Sequence, residues 1–225
     1  MNIWIILGLV MIASLLIQRT LTARFEKYSQ VSLRSGLSGA DIARKMLRDN
    51  GIYDVDVRCV EGTLTDHYHP GEKVVNLSEA VFNGRSVAAA AVAAHECGHA
   101  LQHASRYPAL QMRSALVPVV NFSNKFVSLA LILGVLLINS MPIILNIGIA
   151  LFAVSTLFSF ITLPVEINAS NRAVNWLRDT HLTDSVTTPM AVDALKWAAY
   201  TYVIAAIGSL ATLLYYIGLA SGRRN

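Results

Sequence analysis

The sequence has 225 residues, of which 54% are hydrophobic and only 14% are charged, and its mean hydropathy is positive. This balance excludes an ordinary soluble domain and is typical of an integral membrane protein. The formal net charge is +4. Because no basic cluster carries interleaved aromatic residues, we expect no nucleic acid partner and attribute the excess charge to contact with anionic lipid.

The apolar residues are concentrated in four blocks, and a helix needs about 20 such residues to cross a bilayer. The blocks lie near residues 3–18, 122–139, 143–163 and 199–219. They predict a mainly α, polytopic protein with about four transmembrane helices. The expected organisation is an N-terminal anchor, a large polar region, a transmembrane hairpin, a second polar segment and a last transmembrane helix with its tail. These five parts cover residues 1–18, 19–120, 121–163, 164–198 and 199–225.

The first block is expected to be a retained anchor. A signal peptide has basic residues before its apolar stretch, whereas here they follow it: Arg19, Arg24 and Lys27. Loops rich in Lys and Arg stay in the cytoplasm, so residues 19–120 and 164–198 are predicted to be cytoplasmic. The C-terminus would then be external, and Arg223 and Arg224 do not fit that assignment.

Two helices are predicted in the large polar region by their capping residues. Ser38 is a suitable N-cap for a helix near residues 39–49. Ser86 is a suitable N-cap for a longer, alanine-rich helix at about residues 86–105. Both helices lie on the predicted cytoplasmic side.

Between these helices, the pattern of side chains indicates β structure. Residues 54–60 alternate polar and apolar side chains, which is the period of a half-buried strand. Two shorter extended pieces, near residues 63–68 and 73–77, flank the turn signal His69-Pro70-Gly71. We therefore expect a small antiparallel sheet. Its exposed edge is a candidate surface for an extended substrate.

The helix at 86–105 contains the sequence His95-Glu96-Cys97-Gly98-His99. His95 and His99 are four residues apart, so both imidazoles project from one face and reach the same ion. A zinc ion held by two imidazoles and a carboxylate keeps a position for water and activates it. Glu96 is then placed to take the proton of that water and pass it to the leaving amine. The motif predicts one catalytic Zn²⁺.

A third protein ligand is required, and Glu166 is the strongest candidate. It lies just after the third apolar block, on the same predicted side as the histidines. It also follows Pro164, which we expect to begin a new helix. A lone Glu at such a boundary is usually a solvated helix-end residue, and the segment also offers Asp179, His181 and Asp184.

The two motifs together carry a family resemblance. The run from Ala93 to Ala100, with Glu166-x-Asn168-Ala169-Ser170, resembles the YugP-like neutral zinc metallopeptidases of bacterial membranes over the whole chain. The motifs alone are more distantly similar to the HtpX-like and CAAX-prenyl-protease membrane peptidases. The resemblance implies a small gluzincin-like α+β catalytic subdomain in which Glu166 is the third zinc ligand.

The wider group has a Glu-x-x-Ala-Asp pattern around its third ligand, and this chain departs from it. Ala169 matches the Ala, but Ser170 stands in the place of the Asp. In the group, that Asp would hydrogen-bond a ligand histidine and fix its tautomer. We expect Ser170 or Asn171 to take this role.

Peptide hydrolysis also needs a hydrogen-bond donor for the oxyanion. Arg172 and His181 are the candidates, with lipid or carboxylate pairing as the alternative for Arg172 and a plain loop position for His181. His103 continues the face of His99 but lies about 12 Å along the helix axis from His95, so it is not expected to be a ligand. The pair His67 and His69 leaves a separate surface metal site open.

The leading hypothesis is a membrane-embedded zinc endopeptidase that acts near the cytoplasmic face on membrane-associated or unfolded polypeptides. The alternative is a non-catalytic membrane scaffold or regulator that zinc only stabilises, which would require four protein ligands. A small transporter is disfavoured because the apolar blocks contain few ionisable residues. The lipid bilayer is an expected partner, while a homo-oligomer or a membrane partner protein stays open.

Overall fold

The computed structural model of the protein describes residues 3–222, so Arg223 and Arg224, which conflict with the predicted orientation, lie outside the described residues. The described chain folds mainly into helices, with three short strands. The helices are α1 (Ile3–Ser29), α2 (Gly39–Asp49), α3 (Glu79–Phe82), α4 (Val87–Ala104), α5 (Pro108–Leu136), α6 (Pro142–Asp179) and α7 (Thr187–Ser221). The strands are β1 (Asp56–Val60), β2 (His67–His69) and β3 (Val74–Ser78).

Four helices, α1, α5, α6 and α7, are long and apolar enough to cross a membrane. This confirms the prediction of a mainly α, polytopic protein with about four transmembrane helices. The helices extend beyond the apolar blocks, and Pro164 lies inside α6. The expectation that Pro164 begins a new helix is therefore wrong. A proline inside a helix removes one hydrogen bond, and here the helix continues through it to Asp179.

One compact unit consists of residues 3–16, 111–163 and 201–222 of the described chain. Small residues let its helices approach closely, as is common in membrane helix packing. A Cβ added to Gly134 of α5 would lie 2.5 Å from the Cα of Leu145 in α6. The hydroxyl of Ser155 donates a 2.8 Å hydrogen bond to the Asn124 side chain. Many large apolar side chains of this unit face outward, as lipid contact requires.

The second unit consists of residues 17–110 and 164–200. Its core includes buried side chains of α2, α4, β3 and the end of α6. The predicted helix near residues 39–49 is confirmed as α2. A capping box begins it, because the Ser38 hydroxyl accepts from the Asp41 N–H while the Asp41 carboxylate accepts from the Ser38 N–H.

The sheet of the second unit has the strand order β1-β3-β2. Strand β2 pairs antiparallel with β3 across the predicted turn, but β1 pairs parallel with β3, so the prediction of an antiparallel sheet is wrong for that pair. Alternation of side chains reports which face is buried and carries no information on strand direction. The central position of β3 agrees with its buried side chains Val74, Val75 and Leu77. The short strand β2 is an edge of the sheet.

Helix α4 is the most buried helix of the second unit. Ser86 caps it, as predicted, by accepting a hydrogen bond from the Ala89 N–H. Its alanines are almost all inaccessible to solvent. Gly98 permits a close approach to α6, because a Cβ at this position would lie 2.6 Å from the carbonyl oxygen of Ala169. A bulkier residue would push the two helices apart.

We expect Gly98→Ala to destabilise the protein, because overpacking of a close contact costs about 1–3 kcal/mol. Thermal unfolding of the detergent-solubilised full chain measures the effect. The matched control is Gly218→Ala in α7, where an added Cβ meets no atom within 4 Å. A Gly98→Ala protein as stable as the control would show that the helices do not depend on this contact.

Candidate metal centre

Three potential ligand side chains converge in the second unit. Helix α4 presents His95 and His99 one turn apart on one face, as their spacing predicts. Helix α6 presents Glu166, whose side chain is only 4% exposed. Within residues 3–222, these three side chains are the one group of at least three His, Cys, Asp or Glu residues with ligand atoms close enough to share a metal ion.

The distances fit a tetrahedral zinc ion. Both Nε2 atoms approach the same carboxylate oxygen, Oε2 of Glu166, at 3.4 Å from His95 and 3.5 Å from His99. A zinc ion with bonds of about 2.0–2.1 Å separates neighbouring ligand atoms by about 3.4 Å. Two imidazole nitrogens and one carboxylate oxygen are also a donor set that zinc prefers. These three residues would hold the ion.

The orientation of His99 is fixed by Gln102, which is completely buried. The Gln102 amide nitrogen donates to the carbonyl of Val165 at 2.7 Å and to the Asn168 side chain at 3.0 Å. Its carbonyl oxygen therefore faces His99 Nδ1, at 3.0 Å, and requires a proton there. This tautomer leaves the lone pair on Nε2 free for a metal ion.

The orientation of His95 is fixed by Ser170. The Ser170 Oγ lies 3.1 Å from His95 Nδ1, so the hydroxyl can accept the Nδ1–H and leave Nε2 for the metal. This agrees with the expectation that Ser170 replaces the Asp of the wider group. Asn171, the other candidate for this role, lines a neighbouring cavity together with Ser170.

Glu96 is buried beside the two histidines and is tied to the sheet. Its Oε2 accepts a 3.0 Å hydrogen bond from the main-chain N–H of Tyr68 in β2. The Tyr68 hydroxyl lies 2.8 Å from Nδ1 of His103. His103 is thus directed to the edge strand and is not part of the ligand group. The contacts place the carboxylate of Glu96 between the ligand helix and the sheet edge.

The structure does not bring His181 to the three ligands. It is an exposed residue in the turn after α6, with a positive φ of 55°. The 13 residues of α6 from Glu166 to Asp179 correspond to about 20 Å of helix. Arg172 follows Glu166 by six positions on the same helix, and its Nε donates a 2.8 Å hydrogen bond to the Asn168 side chain. Arg172 therefore extends the network of Gln102.

The surroundings of His99 change the pKa of its imidazole. Burial lowers the pKa of His99, whereas the hydrogen bond to Glu166 and the negative charges of Glu96 and Glu166 raise it, and the net effect is a raised pKa. An imidazole binds zinc only in its neutral form. Protons therefore compete with zinc for this nitrogen as the pH falls.

A protein family described as "putative neutral zinc metallopeptidase" matches residues 3–221 of the chain. The chain belongs to this family. It is also 47% identical, over 195 residues, to the "putative membrane protease YugP" of Bacillus subtilis strain 168, which covers 87% of this chain and 86% of that protein. No solved structure matches the chain.

Membership of this family confirms the resemblance drawn from the two motifs, and it identifies the chain as a zinc-dependent, membrane-embedded member of a peptidase family. Polypeptide is the substrate class that the family implies.

Two residues of the centre, Gln102 and Tyr68, were not predicted from the sequence. Gln102 had a usable signal, because a polar residue three positions after His99 in an alanine-rich helix needs a buried partner. The contact from Tyr68 to Glu96 joins residues 28 positions apart and has no local signal.

We expect Gln102→Leu to weaken zinc binding by about 10–100-fold, which is the usual cost of losing the partner of a ligand histidine. Leucine keeps most of the volume but leaves His99 Nδ1 without an acceptor. Competition with a chelator on the full chain in detergent measures the affinity. Gln111→Leu, at an exposed position of α5, is the control. Equal zinc affinity in both variants would contradict the role given to Gln102.

Proposed function

We propose that this protein is an endopeptidase that uses one zinc ion to hydrolyse peptide bonds of membrane-associated or locally unfolded proteins near the cytoplasmic face. His95, His99 and Glu166 hold the ion, and Glu96 is the general base of an HExxH site of the gluzincin type. The observation that carries the proposal is the approach of the His95 and His99 Nε2 atoms to one oxygen of Glu166, at 3.4 and 3.5 Å. Glu96 lies on the same helix as the two histidines.

A zinc ion held there would supply the Lewis acidity that activates water and polarises the carbonyl of the scissile bond. Glu96 accepts the proton of the attacking water and returns it to the leaving amine. Its hydrogen bond from the Tyr68 N–H fixes the position of the carboxylate. Only one of its two oxygens is engaged by Tyr68, so the other remains for the reacting water.

The peptide substrate is proposed to lie along the edge strand β2. In an antiparallel pair, the N–H and C=O of one residue point to the same side of the strand. The N–H of Tyr68 points to Glu96 and away from β3, so its carbonyl faces the open edge as well. An extended peptide that pairs with this edge would pass beside the general base, as addition of a strand to a sheet allows.

The cytoplasmic location rests on charge. Twelve of the eighteen Lys and Arg residues lie between Arg19 and Arg113, and such an excess marks the cytoplasmic side. Residues 17–110 and 164–200 form one compact unit that contains the proposed centre. The site would therefore meet substrate from the cytoplasm. Lipid surrounds the four apolar helices.

The alternative of a zinc-stabilised scaffold is less well supported. A structural zinc site has four protein ligands, whereas the group found within residues 3–222 has three. A position left for water favours a catalytic centre. His181, which could have served as a fourth ligand, is exposed and lies outside this group.

We expect Glu96→Gln to lower proteolysis by at least about 100-fold, because a positioned general base contributes about 10²–10⁴-fold. The variant should still bind zinc, since its ligands are intact. Cleavage of dye-quenched casein by the full chain in proteoliposomes, with metal analysis of the same samples, measures both. Glu61→Gln, at an exposed turn position, is the control. Wild-type activity in Glu96→Gln would refute the assignment.

We expect Glu166→Ala to lose zinc, because two imidazoles alone bind the ion weakly. The zinc affinity of the variant should be at least about 100-fold lower than that of the wild type. Metal analysis and chelator competition on the detergent-solubilised chain measure this loss. Glu26→Ala, at an exposed position of α1, is the matched control. If the Glu166→Ala protein retained zinc at full affinity, another residue would be the third ligand.

A further inference from the structure

A cavity borders the proposed zinc centre and is not used by the chemistry described above. It has a volume of about 250 Å³ and lies between α6 and α7 in the second unit. We call it the α6–α7 cavity. Its lining residues are Ile167, Ser170, Asn171, Val174, Asn175, Val192, Leu195, Lys196 and Ala199. We propose that it is a specificity subsite that receives one large apolar side chain of the peptide substrate, and this proposal rests on the proposed peptidase function.

The cavity and the zinc centre share a wall. Ser170 lines the cavity and also lies 3.1 Å from His95 Nδ1, so a single imidazole ring separates it from the metal-facing nitrogen. Ile167, another lining residue, directly follows Glu166 in the sequence. A substrate with its scissile bond at the zinc ion would bring its neighbouring side chains to this wall.

The lining selects apolar side chains. Its walls are mostly aliphatic, and the polar lining residues other than lysine are neutral. Lys196 is the charged residue among the lining residues, and its ammonium lies 5.7 Å from the centre of the Tyr200 ring. No carboxylate lines the cavity. Lysine and arginine side chains would therefore enter without a counter-charge and beside a cation, which disfavours them.

The size and exposure of the cavity fit a single side chain. Sites for whole small molecules usually have volumes of about 300–1,000 Å³, and this cavity is smaller. It opens to the surface, because Ile167 is 47% and Val192 is 41% exposed. Large apolar side chains at a surface opening are typical of a binding site. Segments of membrane proteins that become unfolded would supply such side chains in quantity.

The test replaces Val192 by tryptophan, which fills the cavity from its exposed rim. The full chain in proteoliposomes is given internally quenched peptides that differ in one residue at a time around the scissile bond. We expect the wild type to prefer Leu or Phe over Ala at one position next to that bond by at least about ten-fold in kcat/KM, the usual range for an apolar pocket. Val192→Trp should remove this preference and leave the zinc content unchanged.

Two further variants make the result decisive. Val186→Trp adds the same side chain to the turn before α7, where Val186 is 62% exposed and outside the cavity lining; it should keep the wild-type preference. Val192→Ala enlarges the cavity without crowding the fold and should shift the preference towards Trp. Unchanged preference in both Val192 variants would overturn the proposal. An altered dependence on phospholipid composition, with unchanged peptide preference, would also overturn it and assign the cavity to lipid.

The outcomes separate this proposal from the proposed function. If wild-type cleavage depended on Glu96 but showed no preference for apolar side chains, the subsite proposal would be refuted and the peptidase proposal would stand. If the wild type showed no cleavage that is lost in Glu96→Gln, both the peptidase proposal and the subsite proposal would be refuted.

Discussion

The close approach of α4 and α6 is the constraint on which the proposed centre depends. The histidines and the carboxylate belong to different helices and lie 67 or more positions apart in the sequence, so no local rule places them together. Gly98 allows the backbones to touch at Ala169. Gln102 then joins His99 to the carbonyl of Val165, the residue before Glu166. The same crossing therefore positions the ligands and fixes the orientation of one of them.

Charge explains how a metal ion would stabilise such a crossing. Glu166 is buried among apolar residues, where an ionised carboxylate without a partner is strongly unfavourable. A divalent cation shared with two neutral imidazoles balances that charge and leaves one positive charge on the group. The imidazole Nδ1–H groups donate hydrogen bonds to Ser170 and Gln102, which holds the imidazoles in the tautomers that such binding needs. Zinc bound by these three residues would therefore also stabilise this region.

How far the sequence predicts this structure depends on the range of each interaction. The caps at Ser38 and Ser86 and the spacing of His95 and His99 are local, and they were predicted directly. Glu166 and Ser170 were found through the order of apolar blocks and a family motif. The direction of β1, the continuity of α6 through Pro164 and the contact of Tyr68 with Glu96 depend on packing across the fold. Side-chain periodicity contains no signal for any of these three.

The shortness of β2 has a consequence for how substrates would be held. The strand has three residues, and the N–H of its middle residue is already bonded to Glu96. Few main-chain groups therefore remain for pairing with a peptide, so backbone pairing alone would give weak and short-lived complexes. Dwell time would be decided by side chains and by how readily a polypeptide becomes extended. A tightly folded protein would leave before it reacted, whereas a damaged one would remain long enough to be cut.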